Sequence, residues 1–350
     1  MRWRLALFVV LGLAALPTSS GGARPTTSLL IDCTCYDISQ VDTTHKALFV
    51  LQNGGFLGWN LFDVSPHRTR VLFTHGDLRS AGIDGGTAFR DVLAPQARYG
   101  TIRSAAFSPN GQWGAFSADG CGLCVVPARG GKVQNLGIQN AFGWPSWAPD
   151  SKRLVVPVRL SADSSDSELI LVNVDGPGER ALTGPLPGVG LESFMARSMW
   201  SPTGDRIVYS EGHWDQRRLH VLRLADGSDK VIAEGSTAVW SHDGTKLAFM
   251  WKNRELAVVD ADGGHLHVLD PHATDSYLFG AAWSPGGRWI AYRTTSNRGE
   301  NGADNLMLAY ADGSHRRMLV RGDPNEEIGP IYWSLNGQTI LYTHLVQTGE

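Results

Sequence analysis

The sequence predicts an all-β fold built from small antiparallel sheets repeated along one chain, and three observations predict it. A lead residue followed by a Ser-Pro-like pair recurs seven times: Val64-Ser65-Pro66, Phe107-Ser108-Pro109, Trp147-Ala148-Pro149, Trp200-Ser201-Pro202, Trp240-Ser241-His242, Trp283-Ser284-Pro285 and Trp333-Ser334-Leu335. Nine residues after each lead stands Phe73, Phe116, Val156, Tyr209, Phe249, Tyr292 or Tyr342, aromatic in all copies but one. The leads are 43, 40, 53, 40, 43 and 50 residues apart, close to the ~40–50 residues of a four-stranded propeller blade.

Each copy reads as strand a, a tight turn and strand b. Pro presets φ for the turn, Gly supplies a residue with φ > 0, and β-branched or aromatic side chains suit a pleated surface. A second turn signal lies between copies, at Asp84-Gly85-Gly86, Arg129-Gly130-Gly131, Asp175-Gly176, Asp226-Gly227, Asp262-Gly263-Gly264 and Asp312-Gly313. It follows a short apolar run such as 256–260 or 306–310, which makes it the hairpin turn from strand c to strand d. The expected architecture is a β-propeller of seven four-stranded blades, or six if one copy is degenerate. The last copy supplies only strands a and b, so strands within 29–36 and 46–51 are expected to complete the last blade. Which of them is c and which is d stays open, because Asn53-Gly54-Gly55 resembles the c–d turn but leaves few residues before Val64. The lead aromatics Phe107, Trp147, Trp200, Trp240, Trp283 and Trp333 read as core wedges.

The aromatic-Ser-Pro-x-Gly-x-x-Ile-Ala-Tyr segment at 283–292, with Asp260-Ala261-Asp262-Gly263-Gly264 at the second turn, is similar to the WD40-like repeat of TolB-type β-propellers. The resemblance covers the chain from about Leu29 onward. It implies the fold and leaves the function open, since such repeats serve envelope scaffolds, peptidase gating domains and enzymes alike. The TolB family also carries a sizeable α/β domain before its propeller and works with the Tol envelope machinery. Here the propeller is expected to begin almost directly after the leader, a departure from that pattern.

Met1-Arg2-Trp3-Arg4, the apolar run 5–16 and small residues to about Ala23 read as a secretory signal peptide over 1–23, leaving 24–350 as a single propeller domain. No other run approaches ~18 apolar residues, so no membrane span is expected after processing. Without Arg2 and Arg4 the chain has 29 basic against 34 acidic residues, a balance that argues against nucleic acid and anionic membrane surfaces. The expected location is periplasmic or extracellular, and the expected state a monomer. The four cysteines form Cys33-x-Cys35 and Cys121-x-x-Cys124. An even count in an exported chain suggests disulfides, with three pairings open. Cys121 and Cys124 can close a small ring, whereas Cys33 and Cys35 share one side of an extended strand, which strains a direct bridge.

Strands that run up and down put the Ser-Pro-x-Gly and Asp-Gly turns on one face and the b–c and d–a connections on the other. The latter include the irregular stretches 159–168, 183–197, 213–217, 270–279, 294–305 and 321–329. Function tends to sit on irregular loops held by a rigid frame. Strand a is innermost, so the residues opening it line a central funnel: Arg103, Trp144, Arg197, Tyr277, Glu326 and Glu327, with Glu192 nearby. No Gly-x-Ser-x-Gly elbow and no His-Glu-x-x-His is present. His265-x-His267 on an outer strand reads as a solvated pair, and Asp163, Asp166 and Glu168 miss the calcium-loop spacing. No motif calls for a cofactor or metal. The expected function is a non-catalytic, exported scaffold that binds a protein or peptide. One alternative is a propeller enzyme of lactonase, lyase or glycan-acting hydrolase type, with a divalent ion on Glu192, Glu326 or Glu327. A second is a small-molecule or carbohydrate sensor that stacks ligands on Tyr99, Phe142, Trp144 and Trp214.

Overall fold

A computed structural model of the chain describes residues 34–346 apart from 43–46, 55–58, 83–90, 162–163, 165, 177, 187–198, 213–215, 253–254, 272–280, 296–303 and 323–325. Residues 1–23, where a leader is expected, and Cys33 lie outside the described residues.

The described strands follow the chain in antiparallel order. β1 (Thr34–Asp42) and β2 (Ala47–Gly54) come first. One four-stranded sheet holds β3 (Trp59–Val64), β4 (Arg70–His75), β5 (Asp77–Gly82) and β6 (Asp91–Ala94). After the single turn of α1 (Gln96–Tyr99), a second sheet holds β7 (Ile102–Phe107), β8 (Trp113–Ala118), β9 (Gly122–Pro127) and β10 (Gln134–Asn135). The third holds β11 (Ser146–Trp147), β12 (Arg153–Arg159), β13 (Ser167–Asn173) and β14 (Glu179–Ala181). A six-stranded sheet follows, with β15 (Arg206–Glu211), β16 (Arg218–Arg223), β17 (Asp229–Trp240), β18 (Lys246–Trp251), β19 (Glu255–Asp260) and β20 (His267–Asp270). The fourth four-stranded sheet is β21 (Ala281–Trp283), β22 (Trp289–Thr295), β23 (Asp304–Tyr310) and β24 (Arg317–Arg321). Finally β25 (Glu326–Trp333) and β26 (Thr339–Val346) join β1 and β2, with β1 beside β26. In that sheet β1 is strand c and β2 strand d, and Asn53-Gly54 ends β2 instead of forming the c–d turn.

The chain is therefore an all-β propeller, but not the row of seven, or six, separate four-stranded blades expected from the spacing. Five four-stranded sheets stand apart and one sheet has six strands. The cause is β17, which runs without interruption where a d–a loop was expected. Gly235 is the pivot. Its N–H donates to Arg217 O at 2.9 Å while its Cα is paired with Trp251 on the other side. It sits at φ +148°, and a Cβ there would lie 2.3 Å from Met250 O, so glycine alone fits.

The a–b turn is the most uniform element. In all seven copies the residue after the lead donates its N–H to the carbonyl five residues on, at 2.8–2.9 Å, and accepts at its own carbonyl the N–H three residues on. The fourth turn position has φ between 56° and 73° in every copy. Gly111, Gly204, Gly244, Gly287 and Gly337 adopt this without strain, whereas Arg68 and Ser151 bear it. The serine does more than punctuate. Six seryl hydroxyls accept the backbone N–H that opens strand b, for example Trp289 N to Ser284 Oγ at 3.0 Å. Ala148 cannot, and there Asp150 Oδ1 accepts from Lys152 N at 2.8 Å.

Among the described residues five apolar cores lie between successive sheets, and a sixth lies between the two halves of the six-stranded sheet. The lead aromatics are buried in them, with Trp200 1% exposed and Trp147, Trp240, Trp283 and Trp333 all at 7% or less. Each indole N–H also reaches back to the preceding copy. Trp147, Trp200, Trp240, Trp283 and Trp333 donate to the carbonyls of Ala106, Ser146, Met199, Val239 and Ala282 at 2.9–3.1 Å. In every case the acceptor is the residue just before the previous lead. Burying an indole requires a partner for its N–H, and this register supplies one five times over.

Candidate functional site

The loop face is best described around the second sheet. Arg103 follows the first residue of β7 and points outward, more than half exposed, with its guanidinium 2.7 Å from Asp119 Oδ1. Asp119 belongs to the tight connection between β8 and β9, which is pinned under the end of α1: Gly120 N donates to Tyr99 O at 2.8 Å and Asp119 N to Thr101 O at 3.2 Å. Asp77 adds a second tie, accepting from Gln96 N and pairing with Arg79, both at 2.9 Å. Cys121 in that connection is joined to Cys124 on β9 as a disulfide with a Cα separation of 6.2 Å. Of the three pairings open in the sequence, this one is present. Cys33 is outside the described residues, and Cys35 is placed only as part of β1.

Trp144 does not stand beside Arg103 as a free surface. It is half-buried at the seam of two cores, edge-on to Phe62 with ring centroids 6.2 Å apart. Tyr99 is buried edge-on against Phe116 at 5.9 Å, and Phe142 lies under the Arg159 guanidinium at 4.8 Å. Glu326 and Glu327 open β25, where they pair with Val346 and Leu345. Glu192, Arg197, Tyr277 and Trp214 lie outside the described residues.

Three polar networks escaped the sequence reading. Arg293 and Asp304 form an ion pair at 3.0 Å whose side chains are only 6% and 7% exposed. Asp304 also accepts Ile328 N at 2.8 Å, and Arg293 donates to Ile328 O, so the pair ties the fourth sheet to β25. In the six-stranded sheet, His220 lies between two carboxylates. Its Nδ1 is 3.2 Å from Asp229, and its Nε2 is 3.3 Å from Glu211, off the line of a hydrogen bond. Tyr209 stacks on that imidazole at 4.8 Å and donates its hydroxyl to Asp229. Burial raises the Tyr209 phenol well above its ordinary range, and the Asp229 carboxylate adds to this. Burial alone would raise Asp229 too, but the hydrogen bonds from His220 and Tyr209 prevail and hold its carboxyl low. Between the six-stranded and fourth sheets, Asp270 accepts from Tyr292 Oη at 2.9 Å and pairs with Arg316 at 2.8 Å. One sequence signal could have found two of these networks. Where the ninth position is Tyr rather than Phe, a buried hydroxyl needs an acceptor, and Tyr209 and Tyr292 take Asp229 and Asp270.

Among the described residues no group of three or more His, Cys, Asp or Glu is arranged to hold a metal ion. His265 and His267 diverge: one bonds Asp260 at 2.6 Å, and the other reaches Ala311 O at 3.0 Å. No helix among the described residues is long and apolar enough to cross a membrane.

No family model and no curated protein matches the sequence. Solved structures do match in shape. The chain is similar to hydrazine synthase of Kuenenia stuttgartiensis at 13% identity and a TM-score of 0.57, covering 83% of this chain and 95% of that one. It is similar to the Cps50 (Swd1) β-propeller domain of Myceliophteria thermophila at 14% identity and a TM-score of 0.53, covering 81% and 95%. The fold is a β-propeller. TolB from Acinetobacter baumannii is also among the similar structures, at 16% identity and a TM-score of 0.49. That match covers 90% of this chain and spans 64% of the TolB chain's length.

Proposed function

We propose that the protein is an exported, non-catalytic propeller that binds a protein or peptide partner through its loop face. The observation that carries this reading is the contrast between the two faces. The a–b turns repeat one hydrogen-bond pattern seven times, with their polar groups turned onto one another. The opposite connections range from none at all, at β17, to the 18 residues that separate β14 from Trp200. Exposed ionic groups such as Arg103 and Asp119 sit on that variable side. A rigid frame with variable loops at one end is the usual arrangement of a recognition surface. The Cys121–Cys124 disulfide fits an oxidising compartment, and with the leader at 1–23 it supports a periplasmic or extracellular address.

We count seven blades, the six-stranded sheet being two that share β17. Its halves face one another across a core of their own that includes Val208, Val221, Trp240 and Phe249. The ring is fastened by β1 and β2 completing the last copy. A photo-crosslinking residue at position 103, compared with one at position 288 on the turn face, tests the binding reading in the native envelope. A specific adduct from 103 and none from 288 is expected. Equal labelling from both, or none from 103, contradicts it. The enzyme reading rests on Glu326 and Glu327, which start β25 close in the chain to the Ile328 backbone that the buried Arg293–Asp304 pair holds. Stoichiometric retention of a divalent ion, lost in Glu326→Gln/Glu327→Gln, would favour that reading instead.

A further inference from the structure

The turn face carries a groove of about 590 Å³ between the two halves of the six-stranded sheet, within the range of small-molecule sites. Its floor is Val221 and Ala261, and its walls carry Arg206, Arg223 and Lys230. The strand register makes this grouping unusual. Arg206 on β15 and Arg223 on β16 are direct cross-strand partners, and Lys230 on β17 is the partner of Val221, two residues before Arg223. Side chains alternate along a strand, so all three cations stand on the one face that looks into the groove. Like charges placed directly opposite one another are destabilising, in a chain whose net charge is −3.

The two carboxylates in the lining do not relieve this fully. Asp205 is already an acceptor for the Ser201 and Thr203 hydroxyls and reaches Arg206 only at 3.4 Å, and the Thr203 hydroxyl bond above all holds its carboxyl low. Asp262 accepts Gly264 N at 2.9 Å. Arg206 is fixed by Gly244 O at 2.8 Å and by the Trp240 ring at 5.1 Å. Lys230 donates to Asp262 O at 2.6 Å and keeps two further N–H donors. The Arg223 guanidinium has the exposed Asp226 carboxylate as an electrostatic neighbour but makes no hydrogen bond among the described residues.

We propose that this groove binds a small oxyanionic ligand, with a phosphoryl or carboxylate group held between Arg223 and Lys230 against the fixed Arg206 and the rest of the ligand on the Val221–Ala261 floor. Guanidinium suits such oxyanions because its N–H groups are set in a planar fork. The site lies on the face opposite the partner surface proposed above and does not depend on it.

Inorganic phosphate and succinate are the probes, each titrated into the full chain and compared with chloride at matched ionic strength. Amide shifts confined to Ser228, Lys230 and Asp262, with at least one probe, are expected. Loss of binding by about tenfold or more is expected in Arg223→Gln/Lys230→Gln. A response to phosphate alone assigns a phosphoryl ligand, and one to succinate alone a carboxylate. Without either probe, Arg223→Gln should melt about 1–2 °C higher at low salt, as the Arg206–Arg223 repulsion is relieved. Shifts that chloride reproduces, shifts absent with both probes, or undiminished binding in the double variant overturn the proposal; the wild-type titration stands even if that variant fails to fold.

Discussion

Two kinds of junction join the sheets, and they are built differently. From the third sheet onward each junction is a buried indole that both fills the core and donates its N–H to the previous copy. The junctions on either side of the first sheet cannot work this way, because their leads, Val64 and Phe107, have no side-chain donor. Asp63, the residue before Val64, serves instead. Its carboxylate accepts Phe107 N at 2.9 Å from the second sheet and Tyr332 Oη at 3.2 Å from the closing sheet. Arg68 completes the seal, donating Nε to Trp333 O at 2.9 Å and lying 5.0 Å over the Tyr332 ring. The repeated clasp joins copies through an indole and its one hydrogen bond, whereas the junctions at the first sheet are joined by a carboxylate and a guanidinium, the one with the second sheet over an apolar core of its own. The difference predicts that the two respond differently to mutation and to acid.

The largest effect should come from emptying a clasp. Trp200→Ala removes a fully buried indole, costing roughly 3–5 kcal/mol, and the melting temperature should fall by about 10 °C; a superimposable melting curve would break the comparison on its apolar side. Next is Asp63→Ala, which leaves Phe107 N and Tyr332 Oη without their shared acceptor at about 1–3 kcal/mol, and differential scanning calorimetry should show a drop of several degrees. If it is silent, the junctions at the first sheet are not polar in energetic terms. Trp283→Phe keeps most of the wedge and deletes only the N–H donation to Val239, so a loss of about 1 kcal/mol is expected.

The smallest effect is the pH response. The turn carboxyls of Asp243, Asp226 and Asp312 are held low chiefly by the hydroxyls of Ser241, Ser228 and Ser314, and Asp229 by His220 and Tyr209 against its burial. A carboxyl whose folded pKa is depressed adds stability that is present above its unfolded value and lost as pH falls through the folded one. Melting temperature should therefore fall away below about pH 4, with a shallower acid limb in Asp243→Asn. A loss centred between pH 5 and 7 would assign the acid response to other groups.

Much of the frame was legible because each repeat carries its own signal. The lead aromatic, the residue nine later and the Asp-Gly turn are local in sequence, and among the described residues the structure places them in strand and turn as read, except that Trp200 makes only an isolated bridge to Ile207; Asp84-Gly85-Gly86 lies outside the described residues. What was not legible depended on relations between copies. The indole acceptor is a backbone carbonyl 41–54 residues earlier, which no local pattern announces. The continuity of β17 turned on Gly235, which belongs to neither recurring turn signal. Arg293 and Asp304 lie at the ends of a stretch that reads as irregular, and their burial depends on β25, which nothing in that stretch announces. The funnel residues were the least legible: Arg103 is exposed and paired with Asp119, and Trp144 is spent on core packing.

The most direct test of the account is amide-type hydrogen exchange at the tryptophan indoles, followed by 15N NMR with resonances assigned through single Trp→Phe variants. The five clasp indoles at positions 147, 200, 240, 283 and 333 should exchange slowly and as a group, on the timescale of the core strands, while the half-exposed Trp289 indole exchanges fast. Clasp indoles exchanging as quickly as Trp289 would contradict the ring of linked sheets on which the rest depends.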